Sequence, residues 1–148
     1  MILNLQKSLI FDGFPIKIAA LTNITNDHLD YHKNFKSYKN TKLKLFSHYL
    51  DNNGHAILNS KISVTNNFKK KLKKKNISLV SFGHPNSKVY IKRLSNKYLL
   101  KINKKKYNTI INLTNHYDLN NIECAVAIAL CLGLKQDIIA KTLKKGAT

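Results

Sequence analysis

Acidic residues, arginine, cysteine and clustered glycine are all scarce in this chain, and each shortage removes a class of function. Of 148 residues, 7 are Asp or Glu against 26 Lys or Arg, giving a formal charge of +19. Arg93 is the only arginine. Base reading and two-pronged phosphate clamping both favour guanidinium over ammonium. The lysine excess therefore argues against a sequence-reading nucleic-acid protein. Lysine is accompanied along the chain by asparagine and isoleucine, which marks a compositional bias rather than a selected basic surface. Non-specific, salt-sensitive adhesion to nucleic acid is the most that such a charge implies. The densest run, 69–75, contains Leu72 and follows Phe68. It reads as the solvated face of a surface helix, with an anion-binding patch as the competing reading.

The cysteines, Cys124 and Cys131, lie seven positions apart in an apolar helical stretch. About two helical turns separate them, too far for a comfortable bridge. They read as two buried thiols of a reducing compartment. The glycines Gly13, Gly54, Gly83, Gly133 and Gly146 stand singly. Neither G-x-x-x-x-G-K-[ST] nor G-x-G-x-x-G is present, so no glycine-rich loop here cradles a triphosphate. A nucleophile elbow and a C-x-x-C pair are absent too. No apolar run reaches the roughly eighteen residues of a membrane span. Residues 1–9 lack the long apolar run and small-residue cleavage site of a signal peptide. A cytoplasmic location is expected.

What remains is a globular composition, 43% hydrophobic, of a length that suits one domain spanning 1–148. Residues 16–22 read as a buried strand, and 34–49 as a helix with Phe35, Tyr38, Lys42, Leu45 and Tyr49 at helical spacing. Residues 51–54 read as a turn, 55–58 as a short strand, 64–75 as a helix and 77–82 as a strand. Short β-type runs follow at 89–94, 98–102 and 107–113, a β-rich subregion of about 88–113. They predict an antiparallel meander appended to a mostly parallel sheet with flanking helices, an α/β architecture. Two helices close the chain, 120–132 stopped at Gly133 and 135–145 with Ile138, Ile139 and Leu143 inward.

The segment richest in chemistry is TNITNDHLDYH at 22–32, directly after the first strand. Ligands of open α/β sheets sit beyond the carboxyl ends of strands. Asp27, His28, Asp30 and His32 fall within six residues of a chain poor in acids. Two readings stand side by side. His28 and His32 share a helical face and suit a metal, with magnesium favoured by oxygen ligands and phosphates and zinc lacking a third soft ligand. Alternatively, Asp27 and Asp30 cap a helix. Lys42 lies in register with Tyr38 and Leu45 and so is expected to point inward. There it is paired or chemically altered, or its stem runs past apolar neighbours.

The run TNITNDHLDYH, followed by Tyr38, Lys42 and Leu45-Phe46, resembles the central domain of the Mur ligase family. Within that family it is most similar to the branch that adds the third residue of the peptidoglycan precursor. Ala56-Ile57-Leu58-Asn59 resembles a family strand, and the likeness reaches Asn121 and the helix up to Leu132-Gly133. The resemblance implies ATP-dependent amide formation assisted by Mg2+ on a UDP-linked muramoyl dipeptide precursor, with a diamino acid, diaminopimelate or lysine, as the incoming amine. It implies that His28 binds metal and that Lys42 is carbamylated and ligates metal through oxygen. It also implies that Asn121 and Asp118 lie near ATP, and that Thr22 and Asn23 line the precursor side of the cleft. The sequence departs from the family at several places. The family's glycine-rich loop is expected upstream of this chain, and its amino-acid-presenting domain downstream. After Asn59 the family's acidic pair gives way to Ser60-Lys61-Ile62. Before Asn121 its glycine and first asparagine are replaced by Asn115 and Asp118. The isolated chain is therefore expected to be inactive as a ligase, with a separate chain supplying the phosphate loop. A non-enzymatic basic module that binds anions or nucleic acid is the alternative.

Overall fold

A computed structural model describes residues 15–24, 35–95, 97–109, 111 and 117–145. In chain order the elements are β1 (Ile16–Leu21), α1 (Phe35–Lys44), a π-helical turn (Leu45–Tyr49), β2 (Leu50–Asn59), α2 (Asn66–Lys74), β3 (Ser78–Phe82), β4 (Val89–Arg93), β5 (Tyr98–Ile102), β6 (Lys105–Thr109), α3 (Tyr117–Cys131) and α4 (Gln136–Lys145). The strands form one six-stranded sheet in the order β1-β2-β3-β4-β5-β6. Its first four strands run parallel. Lys17 near the start of β1 pairs with Asp51 near the start of β2, and Thr22 just past the end of β1 meets Asn59 at the end of β2. Asn53 N–H donates to Lys75 O below β3, and Ser60 N–H donates to Phe82 O at its end. Strand β3 meets β4 in parallel at Phe82 and Val89, whereas β4–β5 and β5–β6 are antiparallel. This is the α/β sheet with an antiparallel meander that the alternation of strand and helix patterns predicts.

The described residues fall into two compact units. The first lies within Met1–Ala19, Asn23–Ala56 and Val64–Ser78. Its core joins Phe46, Leu50, Ala56, Phe68 and Leu72, with Phe46 and Phe68 edge to face at 6.3 Å and 84°. Helix α2 forms because Phe68 and Leu72 are one turn apart and Thr65 caps its start. The Thr65 hydroxyl accepts Phe68 N–H at 3.2 Å. The helix ends where Asn76 takes φ 54°. There Asn76 N–H and Ile77 N–H reach back to Lys73 O and Leu72 O. The lysines 69–71, 73 and 74 are exposed, as the solvated-face reading expects.

The second unit lies within Ala20–Thr22, Ile57–Ser63 and Leu79–Thr148. Ile57, Phe82, Val89, Leu100, Ile102 and Ala127 are fully buried in it. Helix α3 is closed by Gly133 at φ 85°. Gly133 N–H bonds Leu130 O, and Leu134 N–H bonds Ala129 O. Cys124 is buried, Cys131 is half-buried, and both are free thiols. Burial pushes the Cys124 thiol above its ordinary value, consistent with an inert core sulfur.

Three local expectations need correction. Residues 51–54 do not form a turn but lie inside β2, which runs from Leu50 to Asn59. Asn53 does adopt φ 63°, yet Gly54 is buried so tightly that a Cβ would lie 2.9 Å from Asp51 O and 3.0 Å from Lys17 O. The glycine lets two backbones approach and keeps the strand continuous. The last strand starts at Lys105 rather than 107. A two-residue turn with Asn103 at φ 55° sets Ile102 opposite Lys105. Backbone pairing overrides the polar character of the lysines there. Finally, Ile138 is 55% exposed rather than inward, whereas Ile139 faces the core as expected, together with Ala140.

Candidate functional site

The carboxyl ends of β1 and β2, with the start of the loop after β3, meet in the second unit, and Asn59 ties them together. Its side chain is 4% exposed. Its Nδ2 donates to Thr22 O at 2.9 Å, and its Oδ1 accepts Lys61 N–H at 3.0 Å. Backbone bonds repeat the tie, with Ser60 N–H on Phe82 O at 2.8 Å and Ile62 N–H on Asn59 O at 2.9 Å. Gly83 follows Phe82 at φ 88°, and a Cβ there would lie 2.7 Å from Asn59 Oδ1. Only glycine both adopts that backbone and leaves the amide room. Ser60 Oγ and Ser87 Oγ share a hydrogen bond of 2.6 Å, linking this end of β2 to the loop after β3. The result is a rigid floor at the end of the sheet where α/β ligands bind.

Helix α3 contributes the next layer. Asn121 is exposed on it, whereas Glu123, two residues on, is 3% exposed. Glu123 Oε1 accepts Ile91 N–H at 2.6 Å. Burial pushes this carboxyl up to about 7, and the Ile91 hydrogen bond and the Lys61 charge pull it back. The sequence reading missed Glu123, Gly83 and Ser87. Glu123 carried a usable signal, being the chain's single glutamate set in an apolar helical run. Gly83 was visible as a glycine directly after a strand, a place where backbones approach closely.

Of the residues singled out from the sequence, Thr22 is half-buried with its carbonyl held by Asn59, and Asn23 is exposed. Lys42 is half-buried in α1. Its Nζ lies 5.5 Å from the centre of the Tyr38 ring one turn earlier. The lysine therefore lies along an aromatic neighbour, with part of its length in solvent. Thr22 and Asn121 belong to the second unit, Asn23 and Lys42 to the first. The backbone of Asp118 lies in the first turn of α3. The side chain of Asp118 lies outside the described set, as do His28 and its neighbours Asp27, Asp30 and His32. Among the described residues, no three His, Cys, Asp or Glu side chains converge as a metal-binding group. No helix among them is long and apolar enough to cross a membrane.

Comparison with known proteins gives this architecture a family match. The family model for the Mur ligase middle domain covers residues 4–129. The UDP-N-acetylmuramoylalanine–D-glutamate ligase of Thermoanaerobacter sp. (strain X514) is 32% identical over 133 residues, which is 88% of this chain and 29% of that protein. The UDP-N-acetylmuramoyl-L-alanyl-D-glutamate–2,6-diaminopimelate ligase of Rickettsia conorii is 43% identical over 68 residues, covering 46% of this chain and 14% of the relative. The crystal structure of the MurF ligase of Thermotoga maritima in complex with ADP superimposes with a TM-score of 0.67 at 16% identity, over 88% of this chain and 30% of that one. The chain thus spans less than a third of the length of these relatives. With the family model matched across most of its residues and the fold shared with solved Mur ligases, the chain belongs to the Mur ligase family through its middle domain.

Proposed function

We propose that this chain is the central, nucleotide-binding part of an ATP-dependent ligase acting in the cytoplasm. That ligase joins a diamino acid, diaminopimelate or lysine, to UDP-N-acetylmuramoyl-L-alanyl-D-glutamate. The observation that carries the reading is the middle-domain match over residues 4–129. The choice of the third residue is supported by the 43% identity with a 2,6-diaminopimelate ligase and by the TNITNDHLDYH run.

In the proposed reaction the precursor's terminal carboxylate attacks the γ-phosphorus of ATP, releasing ADP and forming an acyl phosphate. The amine of the diamino acid then adds to the acyl carbon. Collapse of that tetrahedral species expels phosphate, and the amine loses its proton to solvent. The chain's residues divide these tasks. Asn121 offers an exposed amide, one donor face and one acceptor face, which suits the edge of a purine or a ribose hydroxyl. Asp118, one turn earlier on α3, belongs to the same nucleotide-facing end. Thr22 and Asn23 follow β1 and meet the precursor. Mg2+, when bound, neutralises phosphate charge. His28 is the proposed imidazole ligand. An ammonium cannot ligate a cation, so Lys42 serves only as its carbamate, which its half-buried, partly solvated position leaves free to form.

Alone, the chain is expected to give no turnover, because residues 1–148 hold no glycine-rich phosphate loop. The test supplies ATP, Mg2+, the UDP-linked dipeptide and either diamino acid, and follows phosphate and tripeptide product. It is run with and without a Mur ligase fragment that carries the loop. Turnover only in the mixture, abolished by Lys42→Ala, supports the reading. Turnover by the isolated chain overturns its dependence on a partner. Amide formation with D-glutamate on the muramoyl-alanine precursor instead reassigns the branch. The exposed lysines of α2 favour a second reading, a non-specific nucleic-acid or anion binder. That reading requires oligonucleotide affinity that falls steeply with salt and is indifferent to Lys42.

A further inference from the structure

Strand β4 continues past the end of its parallel neighbour. Strand β3 stops at Phe82, which is opposite Val89, while β4 runs on to Arg93. On its other side β4 is paired with β5 throughout. Antiparallel partners bond at alternate residues. Here Asn103 N–H bonds Lys88 O and Leu94 N–H bonds Lys97 O, so the even positions of β4 face β5. Ile91 is an odd position. Its N–H points to the side that β3 has vacated, and a buried backbone donor there would be costly if unmet. Glu123 reaches from α3 and accepts that N–H at 2.6 Å. A carboxylic acid suits this task when neutral. An ionised one, 3% exposed, has the Ile91 N–H and the Lys61 charge in place of its hydration shell.

We propose that Glu123 is a proton-operated latch: the neutral acid seats α3 on the open edge of β4, and loss of its proton to water loosens that seat. Among the described side chains, the titratable and charged residues on the elements around it are Tyr90, Lys92 and Arg93 on β4, Cys124 and Cys131 on α3, Lys135 just before α4, and Asp137, Lys141 and Lys144 on α4. Among the described groups, Lys61 is the one charge that acts on Glu123. Burial raises the folded value from 4.5 to about 7. The latch therefore contributes in full below pH 4.5 and is lost as pH rises through about 7. The inference stands on the α3–β4 geometry and holds whether or not the ligase reading does.

Amide hydrogen exchange of the unaltered chain between pH 5 and 8, corrected for the intrinsic rate, tests it at Ile91 and along α3. The local opening constant is expected to rise by roughly tenfold or more, with solvent screening trimming the full linkage effect. The midpoint should lie near 7. In Glu123→Gln, which keeps an acceptor oxygen and cannot titrate, the rise should vanish. A flat profile in the unaltered chain, or the same rise in Glu123→Gln, overturns the latch. Should that variant fail to fold, carbon NMR of the chain's single glutamate carboxyl decides alone. Titration near 7 supports the latch, and titration at the ordinary 4.5 refutes it.

Discussion

Gly83 and Gly133 separate two reasons for a residue without a side chain. Both have positive φ, 88° and 85°. Around Gly133 a Cβ would meet nothing within 4 Å, so its requirement is conformational only. At Gly83 the Cβ would also strike the Asn59 amide at 2.7 Å, displacing the side chain that holds Thr22. Gly133→Ala is expected to cost about 1 kcal/mol, the penalty of left-handed backbone. Gly83→Ala should cost about 3 kcal/mol, because roughly 1 kcal/mol for each lost Asn59 hydrogen bond is added to it. Urea denaturation of the two variants measures the difference. Equal losses would mean that Asn59 is not held by this contact. Asn121 stood out in the sequence only through the family resemblance, and Lys42 through that resemblance and its helical register. Asn59 was legible only as part of a strand, because a buried amide bridging three chain segments leaves no periodic trace.

Helix α4 is anchored by chemistry that hydrophobic spacing could not foresee. Asp137 in its first turn accepts from Lys105 Nζ at 2.6 Å and from Tyr107 Oη at 3.0 Å, while Lys105 lies 5.2 Å from the centre of the Tyr107 ring. These bonds join α4 to β6 and agree with a rotation that exposes Ile138 and buries Ile139 and Ala140. The sequence could not reveal that rotation, because 138, 139 and 143 all fit an inward stripe within one residue's turn. The Lys105 hydrogen bond, helped by that from Tyr107, holds the Asp137 carboxyl below its ordinary 3.8. Its contribution is therefore present above pH 3.8 and lost as pH falls through the lower folded value. The pair is exposed and its effect modest. Asp137→Asn should speed amide exchange in α4 and β6 at pH 6 by a few fold and leave α2 unchanged, and high salt should shrink the difference. An α4 unaffected by the substitution would mean that apolar packing alone sets its position. The meander was legible by contrast. The runs at 98–102 and 89–94 match β5 and β4 to within a residue, since alternating apolar residues and a tight Asn turn leave a clear pattern.

At the scale of the whole molecule, α/β alternation, helix order and family likeness were readable because they rest on long periodic segments and on a contiguous motif. Strand pairing, the two compact units and the open edge of β4 were not, since each depends on residues far apart in sequence. The +19 charge was readable as composition, and the exposed α2 lysines, with Phe68 and Leu72 turned inward, agree with a solvated face. Glu123 has one more consequence. A chain with a single glutamate offers a glutamate-specific protease one bond, after residue 123, and that residue is buried in α3. Cleavage must await an opening of that helix, so the cutting rate becomes a clock for local unfolding. Intact chain should yield two fragments slowly, faster at pH 8 than at pH 6 after correction for the protease's own pH profile. A mass spectrum can therefore follow the integrity of this helix inside a crowded extract, where no spectroscopic signal of the protein could be seen.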